Sequence, residues 1–249
     1  MRLDPARLPL RVGDVRRALV DDERHGPLAG ILVVLTLVAG IVDAVSILRL
    51  DHVFVANITG NIIFIALALV GARGYSITAP LIVFASFLAG AAAIGATTPQ
   101  HLTHRGRAVH AAVLLQLFDL ALATIIVAVS AHPGTGVRDA ILVALAVGMG
   151  AKSALVRAVN VPGLTTSVFT STLTGLAADG ARGGWRSPGF AVRIVATLAL
   201  LLGAVAGAVL ALKTYTWCSL ALTVVVLVPT VWWSRAAAHA RAPWTTPPT

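Results

Sequence analysis

Residues 28–71 read LAGILVVLTLVAGIVDAVSILRLDHVFVANITGNIIFIALALVG, and two features of this run decide the class of the protein. Between Leu28 and Leu48 the only charged residue is Asp43. A helix needs roughly 20 apolar residues to cross a hydrocarbon core of about 30 Å, so this part predicts a transmembrane span. After a short link the chain turns apolar again, but with Asn57, Thr59, Gly60 and Asn61 packed together at its start. Polar side chains and glycine are tolerated at membrane depth only where protein or a wet cavity receives them. A full span followed by a polar-cored segment is the expected reading.

The same alternation continues outward. Apolar segments fall at about 28–48, 53–71, 77–97, 108–130, 138–158, 162–178, 190–212 and 216–234. Six have the length and purity of transmembrane helices. The sixth segment resembles the second in kind, with Ser or Thr at 165, 166, 167, 170, 171, 172 and 174. The predicted fold is an all-α integral membrane protein with six full transmembrane helices, two polar-cored segments and an internal two-fold repeat. Whether the two polar-cored segments cross or re-enter is left open. Residues 1–27 read as a polar, Arg-rich tail, either a short interfacial helix (Leu8, Val12, Val15 and Leu19 share a face) or a loose segment held near anionic lipid. Residues 235–249, rich in Pro and Thr, read as a disordered tail.

Composition agrees. Of 249 residues, 57 % are hydrophobic and 12 % charged, with mean hydropathy +0.88. A soluble domain carries about 25 % charged residues; a chain this poor in charge cannot wet its own surface. The formal net charge of +9 comes from basic residues at the ends of apolar runs, six of them Arg within the first 24 positions. That distribution follows the positive-inside bias and argues against nucleic acid as a partner. It places both termini in the cytoplasm, whether six segments cross or eight. The first apolar run begins only at Leu28 and has no small-residue cleavage site behind it, so it reads as a retained span. Cys218, the one cysteine, excludes an intrachain disulfide.

The two halves, about 28–130 and 138–234, align in order. Gly40-Ile-Val-Asp43-Ala44 lies on Gly150-Ala-Lys152-Ser153-Ala154, and Thr59-Gly60-Asn61 on Thr170-Ser171-Thr172 with one residue added between. Duplicated membrane halves are common among transporters.

Two blocks carry a family resemblance. Gly40-Ile-Val-Asp43-Ala44-Val-Ser with Val53-Phe54-Val55-Ala56-Asn57-Ile-Thr59-Gly60-Asn61, and later Gly150-Ala-Lys-Ser-Ala154-Leu-Val-Arg157 with Thr165-Thr166 and Thr170-Ser-Thr-Leu173, resemble the signature of the YoaK-type family of small bacterial membrane proteins. The resemblance covers about 28–234 and implies six or so transmembrane helices with no assigned activity. The second block departs from the family pattern: Lys152-Ser153 stands where a Gln-Asn pair is usual, and Thr170-Ser171 where Thr-Gly is usual.

Asp43 and Asp119 are acids inside apolar helices, and Lys152 is a base in another. A charge at the bilayer centre costs about 2.5–3.5 kcal/mol on insertion scales, so each requires a partner or a purpose. The sequence allows a buried ion pair of Lys152 with Asp119 or Asp43, or a ligand site. The expected substrate-binding set is Asp43, Asn57, Thr59, Gly60, Asn61, Asp119, Lys152, Ser153, Thr166, Thr170 and Thr172, for an unidentified small molecule or ion.

Other motifs fail. Gly148-Met-Gly150-Ala-Lys152-Ser153 has Ala151 where a phosphate loop needs Gly, and no strand precedes it. His101, His104 and His110 lie in or near a connecting loop with no adjacent acid, so no metal or cofactor is expected. No Gly-x-Ser-x-Gly or His-Glu-x-x-His occurs. Small-residue faces at Gly203/Gly207, Ser86/Gly90 and Ala89/Ala93 serve helix packing and offer surface for a homo-oligomer. The expected function is a small-molecule transporter or channel of the bacterial inner membrane, not an enzyme; a membrane-embedded enzyme using Asp43 or Asp119 as base, and a non-transporting scaffold, are the rivals.

Overall fold

Among the described residues of the computed structural model, six helices are long and apolar enough to cross a bilayer. The structure describes residues 12–97, 104–130, 134–161, 164, 174, 177 and 188–246. Its elements are α1 (Val12–Leu19), α2 (Leu28–Arg49), α3 (Gly60–Leu69), α4 (Thr78–Thr97), α5 (Arg105–Val129), α6 (Thr135–Val159), α7 (Pro188–Lys213) and α8 (Thr216–His239), then a 3-10 turn at Pro243–Thr245. Helices of 20 to 26 residues span about 30–39 Å at 1.5 Å per residue. The 10 residues of α3 reach only about 15 Å, half a membrane.

The helices pack as α2 on α7, α4 on α6 and α5 on α8, with α6 also against α5 and α8 against α2. Lipid supplies no hydrophobic drive between helices, so close backbone approach has to come from small residues. Gly40 faces the Leu200 carbonyl and Gly203 the Leu37 carbonyl; Gly150 faces the Phe87 carbonyl and Gly90 the Val147 carbonyl. A Cβ at any of these would strike backbone, which cannot swing aside. The Gly203/Gly207 face is thus spent inside the chain, since Gly207 also meets Ile41. Of the small faces expected to serve an oligomer, Ala89 and Ala93 are exposed.

Contacts at the helix ends fix directions. Arg49, the last residue of α2, donates through its guanidinium to the Ala211 carbonyl near the end of α7, so these two run parallel. His104 before α5 meets the Ala240 carbonyl after α8, and His110 meets Ser234, so those two are antiparallel. Arg138 at the start of α6 pairs with Asp51 just beyond α2 at 3.6 Å. Arg105 at the start of α5 bonds the Val159 carbonyl at the end of α6 and the Arg24 carbonyl before α2. Had α3 crossed, α6 would begin beside the start of α2 rather than its end. The first polar-cored segment is therefore re-entrant at one end of the bundle, called distal here. At the other, proximal end, Val161 after α6 and Gly189 and Val192 of α7 line one cavity with Asp22 and Arg24. The second polar-cored segment, 162–178, lies outside the described residues apart from Leu164, Thr174 and Ala177.

The described parts of both tails pack on the bundle. In the first, α1 packs on α7, as the interfacial-helix reading allows. At the other end, the expectation of disorder over 235–249 is overturned as far as Thr246: α8 continues to His239, and the chain then folds back. The Trp244 ring lies on Gly26, whose φ of +51° and lack of Cβ admit it. Arg105, buried and rich in N–H groups, takes the Trp244 carbonyl as one of its acceptors.

Candidate functional site

Asp43 lies on α2 six residues before Arg49, about 9 Å from the helix end. Beyond α2 the chain reverses through Asp51 and His52, both in the left-handed region with φ of 77° and 58°. It then runs back along α2. Asp43 Oδ1 accepts the backbone N–H groups of Val55 (2.9 Å) and Ala56 (2.7 Å). Oδ2 accepts the Asn57 backbone N–H at 3.1 Å and its side-chain amide. All four partners are donors, which suits an ionised, acceptor-only carboxylate. Asp43 thus supplies at membrane depth the acceptors that a strand or helix would otherwise give these N–H groups.

Asn61 does similar work one turn later. Its side chain accepts from Phe54 N–H at 2.8 Å and donates to the Phe54 carbonyl at 2.7 Å. Gly60 leaves room for the Phe54 ring, which stacks on Phe64; Thr59 is exposed. The polar cluster of the first block is therefore engaged within the chain, as the hinge of a re-entrant segment. Beside it, Gly40, Asp43, Phe54 and Asn57 line an apolar groove of about 440 Å³ closed by α7 at Leu200 and Ala204.

The unengaged groups near the middle of the bundle belong to α5 and α6. Gln116 Oε1, Asp119 Oδ2 and Lys152 Nζ are buried without hydrogen-bond partners among the described residues. Gln116 and Asp119 sit on one face of α5, three apart. The Gln116 amide touches Met149 Sδ at 3.5 Å, and Asp119 Oδ2 lies over Gly148, where a Cβ would displace it. Lys152 is fully buried. No Asp119–Lys152 or Asp43–Lys152 ion pair occurs among the described residues. The reason is register: Asp119 faces Gly148, and Lys152 is a further four residues, about 6 Å, along α6.

Ser153 is half-buried beside Lys152. Thr166, Thr170 and Thr172 lie outside the described residues, as does the expected meeting of the two polar-cored segments. His101 is outside too; His104 and His110 each bond α8 or the chain just after it, and no metal-holding group of three is found among the described residues. Sequence reasoning passed over Gln116, although its spacing from Asp119 marked it. It also passed over Arg105, whose position at a span end resembles any flanking arginine.

A family model described as "Protein of unknown function (DUF1275)" matches residues 31–232. The chain belongs to this family. Among curated proteins, "UPF0700 transmembrane protein YoaK" of Bacillus subtilis (strain 168) is 29 % identical over 152 residues, 60 % of this chain. The match spans 65 % of that relative's length, less than two thirds. No solved structure matches. The DUF1275 match runs from within α2 to within α8 and takes in both polar blocks, so it fixes a polytopic membrane protein whose activity is unassigned.

Proposed function

We propose that this chain is a transporter or channel for a small polar solute or ion, without enzymatic activity, acting in the bacterial inner membrane with both termini cytoplasmic. The observation that carries the reading is the set of three buried polar atoms on facing helices, Gln116 Oε1, Asp119 Oδ2 and Lys152 Nζ, that have no hydrogen-bond partner among the described residues. Each is expensive to leave unsatisfied, and intramembrane ionisable groups of this kind mark ligand and ion routes. A scaffold gains nothing from them. An enzyme would place an imidazole or nucleophile beside Asp119; the described contacts put the Gly148 backbone under its carboxylate and Met149 against Gln116 on the same face of α5.

We read the two halves as an inverted internal repeat, which supports the same function. Gly150 stands 110 positions after Gly40 and Val147 110 after Leu37, while Leu200 stands 113 after Phe87 and Gly203 113 after Gly90; the four glycine contacts exchange under that shift. The helices α2 and α6 start from opposite ends of the bundle. Inverted repeats with re-entrant segments are a recurring transporter design. The concentration of basic residues before Leu28 favours a cytoplasmic proximal end.

The test is a thermal-shift screen of the purified protein against small metabolites and inorganic ions, followed by uptake of stabilising compounds into proteoliposomes. A true ligand raises the midpoint by mass action, and Asp119→Asn or Lys152→Met abolishes both the shift and the uptake. No stabilising compound, or shifts and uptake that survive both substitutions, overturns the proposal.

A further inference from the structure

At the proximal end, outside the bundle interior, a cavity of about 470 Å³ opens between the start of α5 and the residues that follow α8. Its wall carries Arg107, Arg241, His104 and His239, with Thr245 at the back, and no acidic residue is among its lining. The volume lies within the range of about 300–1,000 Å³ common to small-ligand sites.

The four basic side chains are not equivalent. His104 is committed: Nδ1 accepts the Arg107 backbone N–H at 3.3 Å, so Nε2 is the nitrogen that donates to the Ala240 carbonyl at 3.1 Å. Its ring fixes the wall where α5 and the folded-back chain meet. Arg107 and Arg241 are exposed and form no ion pair among the described residues. They come from segments more than 130 residues apart, brought together because Ala240–Thr246 folds back onto the start of α5. A guanidinium matches phosphate oxygens in bidentate fashion.

The depth of the cavity points the same way. Arg107 is in the first turn of α5 and His239 is the last residue of α8, so the cavity stands where spans leave the hydrocarbon and phosphate head groups begin. Basic pockets at such a level capture anionic head groups. We propose that this cavity is a binding site for a phosphate-bearing anion, gripped by Arg107 and Arg241.

The experiment uses the full chain in nanodiscs of phosphatidylcholine, with phosphatidylglycerol titrated in and its retention read by native mass spectrometry. Inorganic phosphate is titrated in a parallel arm, read by thermal shift. The variant is Arg107→Gln with Arg241→Gln; the control is Arg16→Gln with Arg17→Gln, basic residues of α1 outside the cavity. The expected result is about a twenty-five-fold loss of affinity in the cavity variant, from about five-fold per arginine near an anionic surface, with little change in the control. Loss confined to the phosphatidylglycerol arm assigns a lipid head group; loss confined to the phosphate arm assigns a soluble anion. Equal retention by cavity variant and control in both arms overturns the site.

Discussion

Asn57 donates both its backbone N–H and its side-chain amide to one oxygen of Asp43, fourteen residues earlier on the preceding helix. With Val55 and Ala56 on the other oxygen, a single carboxylate terminates the returning chain. Asp43→Ala strands three backbone donors and an amide, each costing about 1–3 kcal/mol when buried and unpaired. Asp43→Asn keeps the shape but turns an NH₂ towards donors. Thermal midpoints in detergent are expected to fall in the order wild type, Asp43→Asn, Asp43→Ala. An Asp43→Ala protein as stable as wild type would refute the anchoring role.

The re-entrant reading of 53–71 places His52 and Arg73 on the same, distal side of the membrane, whereas a crossing α3 would separate them. In a Cys218→Ser background, single cysteines at positions 52 and 73 should react with an impermeant maleimide from one side of oriented vesicles. Cysteines at 24 and 241 should react from the other. Labelling of 52 and 73 from opposite faces would rule out six crossings.

Much of this architecture is legible in the sequence, because lipid makes hard demands on length and polarity. Six spans follow from apolar runs near 20 residues, and the anomaly of Asp43 and Asn57–Asn61 is visible without coordinates. What those residues do is not, since it depends on the chain returning along α2 until its N–H groups meet the carboxylate. The ion pair of Lys152 with Asp119, one of the alternatives the sequence allowed, is absent among the described residues for a related reason. Opposite charges in neighbouring helices predict attraction, but close packing at Gly148 sets the register, and charge does not override it. The ordered C-terminal segment escaped because its Pro and Thr content resembles a tail, while the acceptors Arg105 requires are backbone carbonyls that no composition reveals.

That segment yields a prediction with a pH dependence. Arg105 donates to the carbonyls of Arg24, Val159 and Trp244 and sits 2.9 Å from His25 Nδ1. Burial first, then the Arg105 charge, hold the His25 imidazole below its usual range, so the folded protein keeps it neutral as an acceptor. The unfolded chain binds a proton near pH 6.5 that the folded one resists, so stability is full above that value and falls as pH drops below it. Truncation after Arg241 removes Trp244 from Gly26 and one acceptor from Arg105, and should lower the midpoint at every pH. His25→Ala should flatten the acid side of the stability profile. A truncated protein with an unchanged midpoint would return the segment to the status of a loose tail.

Asp119 and Lys152 supply the sharpest test of whether intramembrane charge here is structural. A buried ion pair broken at one partner typically costs about 3–5 kcal/mol, recovered when both are removed. Among the described residues the two groups are unpaired, and Lys152 stands about one turn along α6 from the Gly148 that Asp119 faces, so the expectation is different. Lys152→Met removes a buried, unsatisfied ammonium while keeping its apolar stem, and stability should hold or rise. Asp119→Asn keeps the shape over Gly148 and should fold normally. The double variant should show their simple sum, with a coupling below about 0.5 kcal/mol, as for independent sites. Chemical or thermal denaturation of the four proteins in one detergent measures this directly. Two destabilised single variants rescued by the double would establish a structural pair and remove the unpartnered groups on which the transport reading stands.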